Sequence, residues 1–268
     1  MASDPDPNSA AEPAGSHPPS ASRSRRCDLG IVVTNSLESG CFEDRLACVI
    51  TLRGDGFVLR QGALHGRNVA VMISGAKSQQ TVFAVEALVH GHSPRLVVAA
   101  GFASGLTDRL ERGDLIVADS ILGVTRELLP LDRTLDRNLL SATPRLHVGR
   151  LLTFEQPVRR PAEKRLLGQE HGALAADGQS LTVARVCRGE NVPFSAVRVI
   201  VDAVDDELPP EIQRLTSRKT AAQRIGAVAG SLVRRPSAIK ALWNAYESSL
   251  AASETLAKFL ESLAASMM

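Results

Sequence analysis

The chain has 268 residues, of which 44% are hydrophobic, and a formal net charge of +2. This length suffices for one sizeable hydrophobic core or for two small ones. The near-neutral charge, the lack of a long basic stripe and an aromatic content of only 3% argue against a nucleic-acid partner.

Cysteine usage and hydropathy bear on cofactors and on location. The four cysteines form no CxxC pair, and no histidine stands at zinc-ligand spacing from them. We therefore expect reduced thiols, with no metal and no cofactor. No apolar stretch of about 18 residues is present, and the N-terminus lacks the apolar middle of a signal peptide. These features predict a cytoplasmic protein without a membrane span.

The first 26 residues differ in composition from the rest of the chain. Segment 1–26 is rich in Pro, Ser, Ala and Asp and ends in a cluster of arginines. Such a segment cannot bury enough apolar surface to offset its chain entropy, so we expect a disordered tail. The arginines could contact nucleic acid or lipid, although a solvated tail is the simpler interpretation.

From Asp28 onward, strand-like and helix-like segments alternate. β-branched runs that are typical of buried strands lie at 28–33, 68–73, 95–100, 115–118 and 194–200. A shorter strand is predicted at 174–176, helices at 81–90 and 180–188, and a hairpin in the glycine-rich segment 53–66. This alternation predicts a three-layer α/β fold, with a mixed, mostly parallel twisted sheet flanked by helices.

The C-terminal part of the chain has a helical pattern throughout. Helices are predicted at 209–216, 218–231, 236–247 and 249–264, the third of them entered at Pro236. We expect 209–268 to be a helical extension packed on the main α/β domain, 27–208, rather than a second domain.

Polar residues follow several of the predicted buried strands, and ligands of open α/β sheets bind beyond such strand ends. Asp202 directly follows the apolar run 197–201. Partial desolvation there would raise the pKa of its carboxyl and let it donate a proton to a leaving group. The pattern leaves two structural alternatives open, a helix cap and a salt-bridged aspartate.

Other strand ends carry weaker signals. Glu38 follows the first strand and could orient or deprotonate a water, with a solvated surface glutamate as the open alternative. Lys77, after Gly75, could hold an anion. The small-residue turn 101–105 would allow a ligand close to the backbone, although it is also an ordinary connection and contains no dinucleotide-binding fingerprint. These residues predict a pocket without specifying a reaction.

Three segments occur with a characteristic order and spacing: Val97–Leu106, Gly113–Val117 and Val192–Asp202. Together they resemble the purine nucleoside phosphorylase and nucleosidase superfamily, over a span from about Asp28 to Leu208. The nearest branch is the methylthioadenosine/S-adenosylhomocysteine nucleosidases, including the hopanoid-associated phosphorylase-like proteins. The resemblance implies cleavage of the N-glycosidic bond of a purine nucleoside, and a homodimer or higher homo-oligomer in which the partner completes the pocket.

The resemblance also implies roles for individual residues. Asp202 matches the general acid that protonates N7 of the departing purine, and Glu38 matches the glutamate that activates the attacking water. Val158 falls where the family places an aromatic residue against the base. The backbone along the base and ribose would be that of Gly101, Phe102, Ala103 and Ser104.

Several positions depart from the family pattern. Gly178 and Gln179 stand where Met-Glu is usual. Gln179 can hydrogen-bond to a ribose hydroxyl, but a neutral amide cannot support the positive charge that builds up on the ribose. Ser104 replaces a second glycine, and segment 75–77 lacks the Gly-x-Gly-Lys form. The fold prediction is unaffected, whereas the activity stays open between an enzyme and a purine-binding homologue that has lost turnover.

The choice of nucleophile depends on which cation could hold a phosphate. Water is favoured because no arginine occupies the Gly101 turn, where phosphorylases of the superfamily keep one. Lys77 leaves phosphorolysis open. The 5′ substituent of the nucleoside, methylthio or a larger lipid-like group, is not determined by the sequence.

Overall fold

The computed structural model describes residues 26–132, 135–154, 156–208 and 236–267, and the side chains of 236–245 are not among them. Nearly all of the predicted tail 1–26 and the predicted helices 209–216 and 218–231 therefore lie outside the described residues.

In the part of the chain that the structure describes, ten strands form one sheet: β1 (Leu29–Val33), β2 (Ala47–Arg53), β3 (Val58–Leu64), β4 (Arg67–Ile73), β5 (Leu96–Gly105), β6 (Leu115–Gly123), β7 (Leu128–Pro130), β8 (Leu146–Thr153), β9 (Ala175–Asp177) and β10 (Phe194–Asp202). All six strands predicted from β-branched or small apolar runs are confirmed. The predicted turn 101–105 is wrong, because β5 continues through Gly105 and pairs there with β10 and β9. The predicted hairpin 53–66 is wrong in detail, because β3 occupies its centre and turns at both ends lead to β2 and β4.

Among the described residues, six helices accompany the sheet: α1 (Ser36–Glu43), α2 (Ser78–His92), α3 (Arg137–Ala142), α4 (Pro161–His171), α5 (Ser180–Gly189) and α6 (Pro236–Ser266). The two predicted helices 236–247 and 249–264 are one continuous helix, α6. No residue between them is a glycine or a proline, so nothing in the backbone interrupts the helix. Among the described helices, none is both long and apolar enough to cross a lipid bilayer.

The strand order is β10-β6-β8-β9-β5-β1-β4-β3-β2, and β10 also pairs with β5. This second pairing closes β5, β10, β6, β8 and β9 into a ring, a closure that the sequence did not predict. The sheet is mixed, as expected, but it is not mostly parallel. Within the described residues, five strand pairs are parallel and five are antiparallel.

Alternate side chains of the central strands pack into two apolar cores. On β1, for example, Val32 belongs to the core that contains residues of α2 and α5, whereas Ile31 and Val33 belong to the core that contains residues of α1 and α6. Strands buried on both faces read as continuous apolar runs, which is why β1, β4, β5 and β10 were visible in the sequence. Helices thus cover both faces of this part of the sheet.

Helix α6 packs against α1 through the second of these cores. Leu256, Leu260 and Leu263 on its buried face are each at most 2% exposed. At the rim of the contact, Arg45 forms ion pairs with Glu254 and Glu261. This packing therefore supports the helix that carries Glu38, a predicted site residue.

Candidate active site

The parallel strands β4, β1, β5 and β10 present their carboxyl ends at one edge of the sheet. The residues found at or just after these ends include Ser74, Thr34, Ser104 and Asp202. The ends of β4 and β1 are joined by a hydrogen bond from Gly75 N–H to Thr34 O. The ends of β5 and β10 are joined by a hydrogen bond from Ser104 Oγ to Asp202. The structure thus brings the polar strand ends together, as predicted.

Asp202 is the last residue of β10, and a register irregularity directs its side chain. The pairing of β10 with β5 shifts between Ile200 and Asp202, so that Asp202 lies opposite Ser104. Bulges of this kind commonly change the direction of a side chain near a functional site. The Ser104 hydroxyl donates to Asp202 Oδ1 over 2.9 Å. Ser104, predicted to lie along the base and ribose, therefore also holds the carboxyl of Asp202.

The second oxygen of this carboxyl has a partner that the sequence did not indicate. Lys164 Nζ on α4 lies 2.5 Å from Asp202 Oδ2, and both side chains are buried. The structural alternative of a salt-bridged aspartate is therefore confirmed, and the role of Asp202 as an acid stays a prediction. Burial raises the pKa of Asp202, and the Lys164 ammonium and Ser104 hydroxyl oppose that rise.

Glu38 occupies the third position of α1 and is 5% exposed, which excludes the solvated-surface alternative. It forms a capping box with Asn35, whose side chain accepts from the backbone while Glu38 Oε2 accepts from Asn35 N–H. Such a contact stabilises the start of a helix by about 1 kcal/mol. The same oxygen accepts from Thr34 N–H over 2.6 Å.

The other oxygen of Glu38 contacts β5 rather than the start of α1. Glu38 Oε1 accepts from Phe102 N–H over 3.3 Å, a contact that a capping role does not require. Burial raises the pKa of Glu38, opposed by the charge of Arg198 and by the three backbone donors. A buried carboxyl with a raised pKa is suited to accept a proton. Phe102, which binds Glu38, and Ser104, which binds Asp202, are two residues apart on β5, a separation of about 7 Å along a strand.

Gly101 is required by this arrangement. Its φ of +145° lies in a region that residues with a Cβ rarely adopt. A Cβ built there would lie 2.5 Å from Arg198 Nη1 and 2.9 Å from Glu38 Cδ. The absence of a Cβ at Gly101 therefore lets the Glu38 carboxyl and the buried Arg198 guanidinium approach the same stretch of β5 backbone.

Arg198 is the second residue that sequence reasoning missed. It is 1% exposed, donates to Ala100 O over 3.0 Å and forms an ion pair with the equally buried Asp177 at 2.7 Å. Ser180 Oγ accepts from its Nε and Nη2. The available signal was a charged residue inside an otherwise apolar run, since such a residue is buried only when it is paired.

The side-chain amide of Gln179 is hydrogen-bonded to other groups of the protein rather than facing an open pocket. Its Oε1 accepts from Thr34 Oγ1 over 3.0 Å. Its Nε2 lies within hydrogen-bond distance of Ser74 Oγ, Thr81 Oγ1 and the Gly75 carbonyl. Because the Gly75 carbonyl oxygen can only accept a hydrogen bond, the Gln179 atom beside it must be the amide nitrogen. The amide joins the ends of β1 and β4 to the start of α5.

The remaining predicted residues lie in three settings. Gly178 and Lys77 are exposed, and a Cβ at Gly178 would meet only the Phe154 carbonyl, at 3.9 Å. Ala103 is buried and Phe102 half-buried beside the carboxyl contacts. Val158 is 2% exposed within a small core formed with Leu106, Leu122, Leu152, Ala173 and Ala176. Its role against a base stays a prediction.

A family model for the phosphorylase superfamily matches residues 41–234, well over half of the chain. The chain belongs to the phosphorylase superfamily. The matched segment contains Gly101, Lys164, Gln179, Arg198 and Asp202, and it begins three residues after Glu38. In the described part of this superfamily member, no group of three or more His, Cys, Asp or Glu residues could hold a metal ion.

Individual members of the superfamily resemble the chain over most of its length. A 5′-methylthioadenosine/S-adenosylhomocysteine nucleosidase of Oceanobacillus iheyensis is 21% identical over 220 residues, 74% of this chain and 96% of that protein. The corresponding nucleosidase of Tolumonas auensis is 24% identical, covering 68% and 88%. A mutant of the Helicobacter pylori MTAN, solved with 5′-methylthioadenosine in its active site, has a TM-score of 0.69 at 18% identity, covering 88% and 97%. The last likeness shows a shared fold.

Proposed function

We propose that this protein hydrolyses the N-glycosidic bond of an adenosine-type nucleoside, releasing adenine and a ribose derivative. The observation that carries the proposal is that two buried carboxyls, those of Glu38 on α1 and Asp202 on β10, both contact the end of β5. The relatives of the chain are nucleosidases that act on 5′-methylthioadenosine and S-adenosylhomocysteine, by their names.

The proposed reaction divides the work between the two carboxyls. As the bond from C1′ to the base breaks, its electron pair moves onto the purine, and N7 takes the proton of Asp202. Water attacks C1′ of the oxocarbenium-like sugar, and its proton passes to Glu38. Arg198 lies close enough to Glu38 to favour the ionised form that a base requires. The end of β5, residues 101–104, would hold the base and ribose between the two groups.

Gln179 limits how the ribose can be stabilised. A glutamate at this position could oppose the positive charge of the sugar, and electrostatic contributions of this kind are worth about 10²-fold or more in rate. Here the amide is neutral and already bonded to Thr34 and to the end of β4. This favours a slow enzyme, with a purine-binding homologue as the second candidate function.

The choice of nucleophile is tested by adenine release. Purified protein is incubated with 5′-methylthioadenosine in phosphate-free buffer and again with added phosphate, and adenine is quantified. Hydrolysis predicts equal rates. Phosphorolysis, the alternative that Lys77 leaves open, predicts release only with phosphate. Calorimetric binding of adenine without turnover would instead identify the binding homologue.

Self-association is also part of the proposal. β2 is an edge strand with Val49, Ile50 and Leu52 each more than 40% exposed. Exposed apolar edges of this kind are usually covered by another chain or element. We expect a homodimer or higher homo-oligomer in light scattering, and a strict monomer would contradict this part of the proposal.

A further inference from the structure

Lys164 is a fully buried lysine at the candidate active site. Its side chain is 0% exposed on α4, far from the solvent that a lysine normally requires. Nζ lies 2.5 Å from Asp202 Oδ2, 2.8 Å from Ala203 O and 2.7 Å from Asp206 O. An ammonium group has three donors, and all three are used by the segment at and after Asp202.

These contacts fix the acid from two sides. Lys164 binds one oxygen of Asp202 from α4, and Ser104 binds the other from β5. The chain that follows Asp202 cannot shift without breaking the two carbonyl contacts of Lys164. A buried ion pair of this kind is strongly destabilised when one partner is removed, because the other charge is left unpaired.

Two further charged groups face the pair. Asp206 accepts from Ala203 N–H and from Arg112 Nε, and the Arg112 hydrogen bond lowers the pKa of Asp206. The negative charge of Asp206 acts on Asp202 in the direction opposite to Lys164. Arg112 neutralises Asp206 locally, so that Lys164 is the principal cation in contact with the acid.

We propose that Lys164 is a positioning residue for proton donation by Asp202, and that the two residues act as one acidic unit. This rests on the proposed function, in which Asp202 protonates the departing base. When the O–H bond of Asp202 breaks and the H–N7 bond forms, a carboxylate appears in a buried site. The Lys164 ammonium is already in place to stabilise that developing charge, so that no rearrangement is needed during the reaction.

The inference predicts two linked effects of removing the charge. In Lys164→Met the carboxylate is no longer stabilised, so Asp202 should titrate at a higher pH. It should also be a weaker acid, with kcat about 10- to 100-fold lower at its optimum. The basic limb of the pH–rate profile, where the acid loses its proton, should move to higher pH together with the titration.

The titration is measured by NMR of the Asp202 side-chain carbon in protein labelled at aspartate carboxyls, assigned by its absence in Asp202→Asn. Arg165→Met is the matched control, because Arg165 is the next residue of α4 and pairs only with the exposed Asp108 and Asp205 within the described residues. Lys164→Arg keeps the positive charge, so in this variant Asp202 should titrate near its wild-type pH. Should Lys164→Met not fold, Lys164→Gln keeps a donor for the carbonyls and gives the same comparison.

The outcomes separate this inference from the proposed function. An unchanged Asp202 titration in the neutral variants, or an equal shift in Arg165→Met, overturns the inference whatever the activity. A shifted titration with an unshifted pH–rate profile also overturns it. A shifted titration in a protein that releases no adenine supports the ion pair and contradicts the proposed function instead.

Discussion

At the scale of single residues, Glu38 and Asp202 are held by different kinds of group. Three backbone N–H groups bind Glu38, whereas a lysine and a serine bind Asp202. Burial raises the pKa of both carboxyls, but only Asp202 has a directly bonded cation. In the proposed reaction, the lysine stabilises the carboxylate that forms when Asp202 gives up its proton.

The proposed division of labour predicts a bell-shaped pH dependence. The rate should fall at low pH as Glu38 is protonated, and at high pH as Asp202 loses its proton. Because burial raises both pKa values, both limbs should lie above the ordinary carboxyl range of about pH 4. Glu38→Gln should lower kcat by about 10²- to 10⁴-fold and abolish the low-pH limb in the residual activity. Glu127→Gln, at an exposed glutamate, is the control and should change neither.

Replacing Gln179 by glutamate should destabilise the protein more at pH 7 than at pH 5. The carboxylate would face the Gly75 carbonyl without a donor, at a cost of about 1–3 kcal/mol. Its pKa in the folded protein would be raised, so that the folded state binds more protons and stability is lost as the pH rises. Thermal unfolding at both pH values checks this, with exposed Gln169→Glu as control. Equal Tm losses at pH 5 and pH 7 would contradict the assigned network.

At the scale of elements, the long C-terminal helix supports the helix that carries Glu38. Leu260 of α6 is 1% exposed in the core shared with α1, whereas Leu250 of the same helix is 39% exposed. Leu260→Ala should lower the free energy of unfolding by about 2–5 kcal/mol. Leu250→Ala should change it by no more than about 0.5 kcal/mol. Denaturant unfolding checks the pair, and similar losses in both variants would contradict the packing.

The sequence predicted those elements whose pattern is local. β1, β4, β5 and β10 are apolar on both faces, and the helical spacing of α5 placed it within one residue at its end. α4 was not predicted, because its sequence is mostly polar and its only buried residues are Lys164 and Gly168. The closed ring of strands depends on the pairing of β10 with β5 and β6, which no local pattern contains.

At the scale of the whole molecule, the site joins segments that are distant in the chain. The strand-end rule and the family resemblance predict Asp202, Glu38 and Gly101 as site residues from the sequence. Lys164 was missed because nothing in its polar helix marks it as buried, and only its partner Asp202 reveals it. Arg198 interrupts an apolar run, but the sequence does not show that Asp177 is its partner. The sequence showed Gln179 as a departure from the family pattern. Only its hydrogen bonds with Thr34, Ser74 and Thr81 explain why an amide fits at this position.

The measurement that tests the account most directly is the initial rate of adenine release from 5′-methylthioadenosine by the wild type and by Asp202→Asn. Asp205→Asn, at an exposed residue three positions away, controls for changes in the same segment. We expect adenine release by the wild type and by Asp205→Asn, and a rate about 10²- to 10⁴-fold lower for folded Asp202→Asn. An Asp202→Asn rate equal to that of the wild type, or no adenine from the wild type, would contradict the account.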